Sequence, residues 1–175
     1  MFDDIDYLLR CKNIERLGMY YHIRGYNLME HSYMVGMLFM KFAELEQISY
    51  GITVLEIVLK HDICESQTQD LSYEVKNYNE KTKVLWEGIE EEICGNDTIL
   101  MNYTDVAIKS TLNEQQFTLF KVCDLLDLWI FLKQEQRIGN KQKEIQVIVE
   151  RCENLLNGKY KSVDNFIAEF RSNEL

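Results

Sequence analysis

The stretch VLKHDICES, Val58 to Ser66, is decisive because a histidine and an aspartate stand side by side near the end of an apolar helical segment. Ile57 and Val58 lead to His61 by steps of four and three residues, the spacing that puts side chains on one face of a helix. Asp62 follows directly and borders the same face. Because an isolated carboxylate is costly to bury, this pair predicts a nearby cation, hydrogen-bond network or metal ion.

The apolar residues keep helical spacing along almost the whole chain, which has no proline, no repeat and no long alternating run. The pattern predicts an all-α fold, a compact multi-helix bundle that forms a single domain over residues 1–175. Gly95, Gly139 and Gly158 stand where helix stops are needed, and residues 66–79 are predicted to form the principal loop. The predicted helices cover residues 2–12, 30–47, 51–66, 79–94, 103–111, 114–137, 141–156 and 162–172.

Composition narrows the class of protein. The 175 residues, 46% of them apolar, suffice for one buried core, and charged residues interrupt the apolar runs well short of a membrane span. The chain opens with acidic residues and not with a signal peptide, and its five cysteines contain no CxxC pair. We therefore expect a cytoplasmic protein with reduced cysteines and no membrane partner.

The charge balance bears on binding partners. A formal net charge of -10 argues against a broad basic face, so we expect no nucleic-acid polymer as a partner. A small anion held locally by a few cations is compatible with this composition.

Two further polar residues stand on apolar helix faces. His31 begins a stripe that continues through Val35 and Phe42, and Asp124 stands in the middle of an apolar stripe in the predicted helix 114–137. Singly, each has an ordinary explanation, since a buried histidine often bonds within a core and Asp124 could pair with an arginine. Together with His61 and Asp62, they predict a site of mixed nitrogen and oxygen ligands that leaves positions for water and substrate, as metal-assisted hydrolysis requires.

Three segments carry a family resemblance: RLGMYYHIRGYNLMEHS (residues 16–32), HDICESQTQDLSYEVKNYN (residues 61–79) and KVCDLLD (residues 121–127). In order and approximate spacing they resemble the HD-domain metal-dependent phosphohydrolases, and within them the small 5'-deoxynucleotidases of the YfbR type. The resemblance covers about residues 16–133 and implies an HD-domain bundle with one divalent metal ion. The mixed ligands would accept Co, Mn, Mg, Ni or Zn. The implied metal ligands are His31, His61, Asp62 and Asp124.

The resemblance also implies roles in catalysis and substrate binding. Arg16 would contact the substrate phosphate, and Glu65 would orient the attacking water or take its proton. Asp70 would lie near the sugar and the reacting phosphate, and Lys76 would meet phosphate oxygens at the mouth. In the ordinary alternatives, Arg16 is a surface arginine and Glu65 a solvated helix end. Asp70 is then a turn residue and Lys76 a surface charge. Asp127, one turn beyond Asp124, could hold a ligand histidine or a basic residue, or could be a polar margin.

Two residues depart from the family pattern near the expected nucleoside. Leu17 stands where the family has a tryptophan beside the sugar and base, and Ser72 replaces a common proline. We therefore expect Leu17 in the substrate pocket and a nucleoside site that differs from the family's. Small phage HD enzymes that remove the whole triphosphate from dATP resemble this sequence about as well.

The leading functional hypothesis is a 5'-deoxynucleotidase that converts a dNMP to a deoxynucleoside and phosphate. The second is a dNTP triphosphohydrolase acting on dATP, and the third is a non-catalytic, metal-containing nucleotide-binding module. Arg16 and Glu65 argue against the third, because a purely structural metal site needs neither. The resemblance, together with many methionines and aromatics that can form an apolar face for a twofold partner, also predicts a homodimer or higher homo-oligomer.

Overall fold

The computed structural model describes residues 3–76 and 78–172, and this part of the chain contains ten α-helices, one 3-10 turn and no strand. The all-α prediction is confirmed. None of the described helices combines the length and apolarity needed to cross a bilayer. The helices are α1 (Asp3–Cys11), α2 (Leu28–Leu45), α3 (Ile52–Lys60), α4 (Glu65–Thr68), α5 (Tyr73–Lys76), α6 (Glu80–Cys94), α7 (Asp105–Thr111), α8 (Glu114–Arg137), α9 (Lys143–Leu156) and α10 (Lys161–Ser172), with the 3-10 turn at Leu100–Asn102.

Helix α8 is the centre of the bundle, packed between α2 and α9. Twelve of its 24 residues are buried, among them Leu126 and Trp129, so most of its circumference faces other helices. Its start is fixed by a capping box of two hydrogen bonds. The Asn113 side chain accepts from the Gln116 N–H, and the Gln116 side chain accepts from the Asn113 N–H. This long, well-anchored helix carries Asp124 into the middle of the fold.

Helix α2 lies against both α8 and α3. Asn27 caps its start by accepting from the Glu30 N–H, which begins the helix at residue 28, two residues earlier than the predicted 30. Gly36 permits close approach to α3, because a Cβ there would overlap the Leu59 side chain. The close packing brings His31, on α2, near the end of α3.

The predicted helix over residues 51–66 is interrupted at residues 61–64. Helix α3 ends at Lys60, and the chain continues through tighter turns in which the Glu65 N–H donates to the Asp62 carbonyl at 2.9 Å. The His61 Nδ1 lies 2.8 Å from the Val58 carbonyl oxygen, the group that the Asp62 N–H would use in a continuing α-helix. The side chain thus competes with the helix that the apolar pattern predicts.

The predicted loop over residues 66–79 is wrong in part, because it contains the end of α4 and the one-turn helix α5. The Ser72 hydroxyl accepts from the Val75 N–H at 3.4 Å and helps to start α5. Asn77 of this loop, and residue 2 of the predicted first helix, lie outside the described residues. The other predicted helices agree within a few residues, and the predicted stop at Gly139 has a left-handed φ of 104°.

The segment between α1 and α2 crosses the bundle close to the ends of α3 and α4. The Leu28 N–H donates to the Ile14 carbonyl at 2.9 Å, and the Arg16 N–H donates to the Tyr26 carbonyl at 2.7 Å. These bonds close the segment into a narrow loop. Arg16 is thereby held at the base of that loop, where its side chain turns toward α3.

The tip of the same loop is fastened to α8 by a buried acid. Glu135 is fully buried, and its carboxylate accepts from the Ile23 N–H at 2.6 Å and from the Arg24 N–H at 3.0 Å. Asn140 donates to the same carboxylate at 3.1 Å. The backbone donors hold the pKa of Glu135 below its ordinary value despite its burial, so this carboxylate stays ionised and keeps the loop in place.

Candidate metal centre and its cavity

Three of the predicted ligands, His31, His61 and Asp124, place ligand atoms within 4.8 Å of one another, and the fourth, Asp62, lies next to both histidines. The His31 Nε2 lies 3.2 Å from the His61 Nε2, 3.3 Å from an oxygen of Asp124 and 3.5 Å from an oxygen of Asp62. The same Asp62 oxygen is 3.2 Å from the His61 Nε2. Side chains from α2, α8 and the turn after α3 therefore present two imidazole nitrogens and two carboxylates to a common centre.

The charges at this centre favour a cation. Although burial opposes ionisation, the imidazoles and the Arg16 guanidinium hold the pKa of Asp62 well below its ordinary value. The Lys121 ammonium and His31 do the same for the pKa of Asp124, again against burial. Both carboxylates are thus negative and concentrated in a largely buried place, where a positive ion gains most.

The two imidazoles are oriented by bonds on their far sides. The His61 Nδ1 donates to the Val58 carbonyl, because a carbonyl oxygen only accepts. The His31 Nδ1 lies 2.7 Å from an oxygen of Asp127. Both rings therefore direct Nε2 to the centre, as metal-binding histidines require. Of the roles that the sequence left open for Asp127, contact with a histidine is the one observed.

Arg16 stands beside the metal centre. Its guanidinium is 2.6 Å from an oxygen of Asp62, and it lies over the Tyr26 ring at 5.6 Å from the ring centroid. The neighbouring Leu17 has a left-handed backbone with a φ of 59°, and its N–H donates to the Asp70 carboxylate at 3.2 Å. That bond joins the Arg16 loop to the turn after α4, so Arg16, Leu17 and Asp70 are brought together.

Glu65 and Lys76 form an ion pair on another side of the centre. The Lys76 ammonium is 2.9 Å from one carboxylate oxygen of Glu65, and the second oxygen is buried with no hydrogen-bond partner among the described residues. Burial, with the nearby charge of Asp62, raises the pKa of Glu65 to about 8. Glu65 is therefore a buried acid with one oxygen free to accept, and not the solvated helix end that the sequence also allowed.

A cavity of about 400 Å³ opens above the centre and gathers most of the predicted site. His31 lies beneath it, fully buried, and Leu17 faces a smaller adjoining cavity of about 80 Å³. Arg16 and Asp70 line both cavities. The larger cavity is lined by Arg16, His61, Asp62, Glu65, Asp70, Leu71, Lys76, Lys83, Trp86, Glu87, Glu90, Asp105, Lys121 and Asp124.

Several lining residues were not predicted from the sequence. Lys121 carried a usable signal, because it precedes Asp124 by three residues on one helix face, and its ammonium lies 3.3 Å from that carboxylate. The sequence around Trp86 and Glu90 contains no such signal. They belong to α6, and only the packing of that helix beside α4 and α5 brings them to the cavity.

This arrangement of helices, with two histidines and two aspartates below a charged cavity, defines an HD-domain phosphohydrolase. In sequence, the family model of the YfbR-like 5'-deoxynucleotidases matches residues 5–173. The chain belongs to the YfbR-like 5'-deoxynucleotidase family, and the prediction of a hydrolase is confirmed. It is 26% identical over 147 residues to a 5'-deoxynucleotidase of Shewanella oneidensis, covering 78% of this chain and 75% of that protein.

Solved structures agree on the fold. An HD-domain phosphohydrolase from Listeria innocua superposes with a TM-score of 0.77 at 19% identity, covering 99% of this chain and 88% of the other. The HD phosphohydrolase of cyanophage S-2L, bound to dA and one catalytic Zn²⁺ ion, gives 0.69 at 20% identity and covers 97% and 95%. A protein from Pyrococcus horikoshii gives 0.73 at 17% identity and covers both chains fully, at 100% each.

Proposed function

We propose that this hydrolase is a metal-dependent 5'-deoxynucleotidase, which converts a dNMP to a deoxynucleoside and phosphate. The observation that carries the proposal is the convergence of His31, His61 and two ionised aspartates next to Arg16 and the half-free carboxylate of Glu65. These are the groups that hydrolysis of a phosphate ester needs: a metal site, a cation for the phosphate and an acceptor for the water's proton. The family and the Shewanella relative support the monophosphate as substrate.

The residues present fit a single divalent ion. Both Nδ1 atoms are engaged elsewhere, so each ring offers its Nε2 to the ion once that nitrogen has lost its proton, and two carboxylates supply the oxygen donors. The proposed ligands are His31, His61, Asp62 and Asp124, and Co, Mn, Mg, Ni and Zn all suit this mixed set. When bound, such an ion lowers the pKa of a coordinated water and offsets negative charge on the phosphoryl oxygens. The Zn²⁺ in the cyanophage relative supports this proposal.

Arg16 and Lys76 are the proposed phosphate-binding cations. Arg16 offers a planar fork of donors that matches two phosphate oxygens, and its side chain is only 15% exposed, which strengthens each bond. Lys76 lines the same cavity and acts as a point charge. Its pairing with Glu65 raises the pKa of its ammonium against burial, so it stays charged.

Glu65 is the proposed acceptor for the attacking water. Lys76 fixes one of its oxygens, and the other is buried next to the cavity with no partner in the part of the chain that the structure describes. A carboxylate held this way can orient a water and receive its proton without rearranging. Its distance along the chain from Asp62, three residues within tight turns, keeps it on the same side of the centre.

The nucleoside is proposed to lie toward Leu17 and Asp70. Asp70 accepts one bond from the Leu17 N–H, and a carboxylate has capacity for further donors such as a sugar hydroxyl. Part of the adjoining small cavity is lined by apolar and aromatic side chains, including Tyr20 and Leu128, which suit the uncharged end of a nucleotide, and the rest by polar and charged ones.

A dNTP triphosphohydrolase is the second candidate, and a specific feature favours it. The main cavity continues into a groove of about 410 Å³ that shares Lys83 and Lys121 with it and adds Lys109, so three ammonium groups could meet further phosphates. Glu87, Glu90 and Asp105 line the same passage and oppose a longer polyanion. This balance is why the monophosphate is proposed first.

The two activities are separated by their products. Metal-loaded protein is incubated with a panel of deoxynucleoside mono- and triphosphates, and the products are resolved by ion exchange. Inorganic phosphate from dNMPs, with dNTPs left intact, supports the 5'-deoxynucleotidase. Release of intact triphosphate and deoxynucleoside from a dNTP overturns it in favour of the second candidate.

Self-association is proposed on the exposed side of α2. Tyr33 is 61% exposed, Met37 43% and Met34 37%, so this helix presents a row of large apolar side chains outward. A second copy of the chain could cover the row in a homodimer or a higher oligomer. Light scattering of the protein against a Met37→Glu variant tests this, since a dimer held by this face dissociates in the variant.

A further inference from the structure

The far side of His31 is closed off from solvent by two other side chains. His31 is completely buried, and its Nδ1 lies 2.7 Å from an oxygen of Asp127. The Tyr26 hydroxyl donates to the same oxygen at 2.7 Å and is itself 3.1 Å from the ring nitrogen. These three groups form a buried triangle, in which Asp127 is only 4% exposed and Tyr26 only 3%, although both also line a cavity of about 310 Å³.

Two carboxylates of helix α8 contact the two ring nitrogens of His31. Asp124 approaches Nε2 at 3.3 Å, and Asp127, one turn further along, approaches Nδ1 at 2.7 Å. Residues three apart lie on the same side of a helix, so the ring of His31 is held between two carboxylates of one rigid element. A carboxylate buried this deeply is costly unless its partners satisfy it. Here those partners are the His31 ring and the Tyr26 hydroxyl.

Tyr26 is itself held firmly. Its ring stacks on Phe131 with centroids 4.1 Å apart and an interplanar angle of 11°, and the Arg16 guanidinium lies 5.6 Å from the centroid of the same Tyr26 ring. Phe131 belongs to α8, the helix that carries Asp127. The hydroxyl of Tyr26 is therefore aimed at Asp127 by a stacking contact that does not involve the metal centre.

We propose that Asp127, held by Tyr26, is a positioning residue of the metal centre, which keeps the His31 proton on Nδ1 and the Nε2 lone pair directed at the ion. The inference rests on the proposed metal-dependent function. It extends that function to two residues that touch neither the substrate nor the metal ligand atoms on the cavity side. Partners of this kind are worth about 10- to 100-fold in metal affinity.

The test measures metal binding directly, by competition of the apo protein with a chromophoric chelator for Zn²⁺ or Co²⁺. Asp127→Asn keeps the size of the side chain but removes the charge, and we expect its dissociation constant to rise by about 10- to 100-fold. Tyr26→Phe keeps the stack on Phe131 and removes only the hydroxyl, so a smaller rise is expected. In the double variant the Tyr26 effect should largely vanish, because the hydroxyl acts through Asp127.

Glu153→Gln is the control variant. Like Asp127, Glu153 has two side-chain partners, the Trp129 indole N–H at 3.0 Å and the Arg171 guanidinium at 2.7 Å, but it lies on α9 and touches no proposed ligand. We expect lower stability in this variant with unchanged metal affinity. Circular dichroism of each apo variant checks the fold, and Tyr26→Phe carries the test if Asp127→Asn does not fold.

The outcomes separate this inference from the proposed function. Wild-type protein that binds no divalent ion contradicts the proposed function. Wild-type protein that binds the ion, beside folded Asp127→Asn and Tyr26→Phe variants that bind it equally tightly, overturns only the positioning role.

Discussion

Lys76 holds one oxygen of the Glu65 carboxylate at 2.9 Å, and the other oxygen of that carboxylate is buried without a partner among the described residues. One side of Glu65 is therefore fixed while the other is kept free beside the cavity. An acid that served only the fold would have both oxygens satisfied, because an unpaired buried acceptor costs about 1–3 kcal/mol. The asymmetry supports a role for Glu65 in catalysis.

Glu65→Gln should lower kcat by about 100- to 10,000-fold, because an amide cannot take a proton from water. Metal content should not change, since Glu65 is not among the proposed ligands. Steady-state kinetics with dNMPs and metal analysis of the same preparation provide the measurement. Lys76→Met is the companion variant, and we expect it to raise KM as well as lower kcat. A Glu65→Gln enzyme with wild-type kcat would contradict the assignment.

The pKa of Glu65 gives a prediction for stability. Burial and the charge of Asp62 raise this pKa from its ordinary 4.5 to about 8 in metal-free protein. The folded state then binds the proton more tightly, so this contribution to stability is complete below the ordinary pKa and is lost as pH rises through about 8. Glu65→Gln is neutral at every pH. The free energy of unfolding of the variant, minus that of the wild type, should therefore increase between about pH 5 and pH 9.

Urea unfolding in the presence of a chelator measures this difference. A constant difference between the two proteins across that pH range would show that the carboxyl titrates normally. The same experiment on Lys76→Met should show a steeper loss of stability with rising pH than in the wild type, because the ionised Glu65 then has no ammonium partner.

Arg16→Lys tests the shape of the phosphate contact. The variant keeps the positive charge but loses the planar fork, so we expect KM for a dNMP to rise by about tenfold, roughly 1.4 kcal/mol. Metal content should be retained, because the introduced lysine still carries a charge beside Asp62. Equal kinetic constants for the wild type and the Arg16→Lys variant would mean that the guanidinium geometry is not used.

Leu17 and Gln69 are two non-glycine residues with left-handed backbones, at φ of 59° and 66°. Leu17 donates the hydrogen bond to Asp70, and Gln69 directly precedes Asp70 in the chain. Gln69→Gly should stabilise the protein by about 0.5–1 kcal/mol and leave kinetics unchanged, because its side chain is exposed. Leu17→Gly relieves the same strain but removes a proposed contact to the nucleoside. We expect KM for the dNMP to rise in that variant alone, measured beside thermal unfolding of both.

The proposed ligand set could be inferred from the sequence because helical spacing reveals polar residues on apolar faces. His31 and Asp124 were visible in this way, and the structure brings them within 3.3 Å. The break after Lys60 was not visible, because it depends on a bond between the His61 ring and the Val58 carbonyl. Periodicity reports which face is apolar, and it does not report side chains that compete for backbone groups.

The walls of the cavity were predicted least well. Trp86 and Glu90 reach the site only through the packing of α6, and nothing in the local sequence of that helix distinguishes its cavity face from its solvent face. Asp127 was ambiguous for a similar reason. One turn of helix places it near the ligands, but only the fold shows that it meets His31 and not solvent.

The most direct test of the proposed metal centre compares wild-type protein with Asp62→Ala. Both are stripped with a chelator, reloaded with one divalent metal, assayed for bound metal, and then incubated with dNMPs while inorganic phosphate is measured. We predict that the wild type binds one ion per chain and releases phosphate, and that Asp62→Ala keeps its helical circular dichroism but loses both the ion and the activity. Unchanged phosphate release by Asp62→Ala would contradict a metal centre built on His31, His61, Asp62 and Asp124.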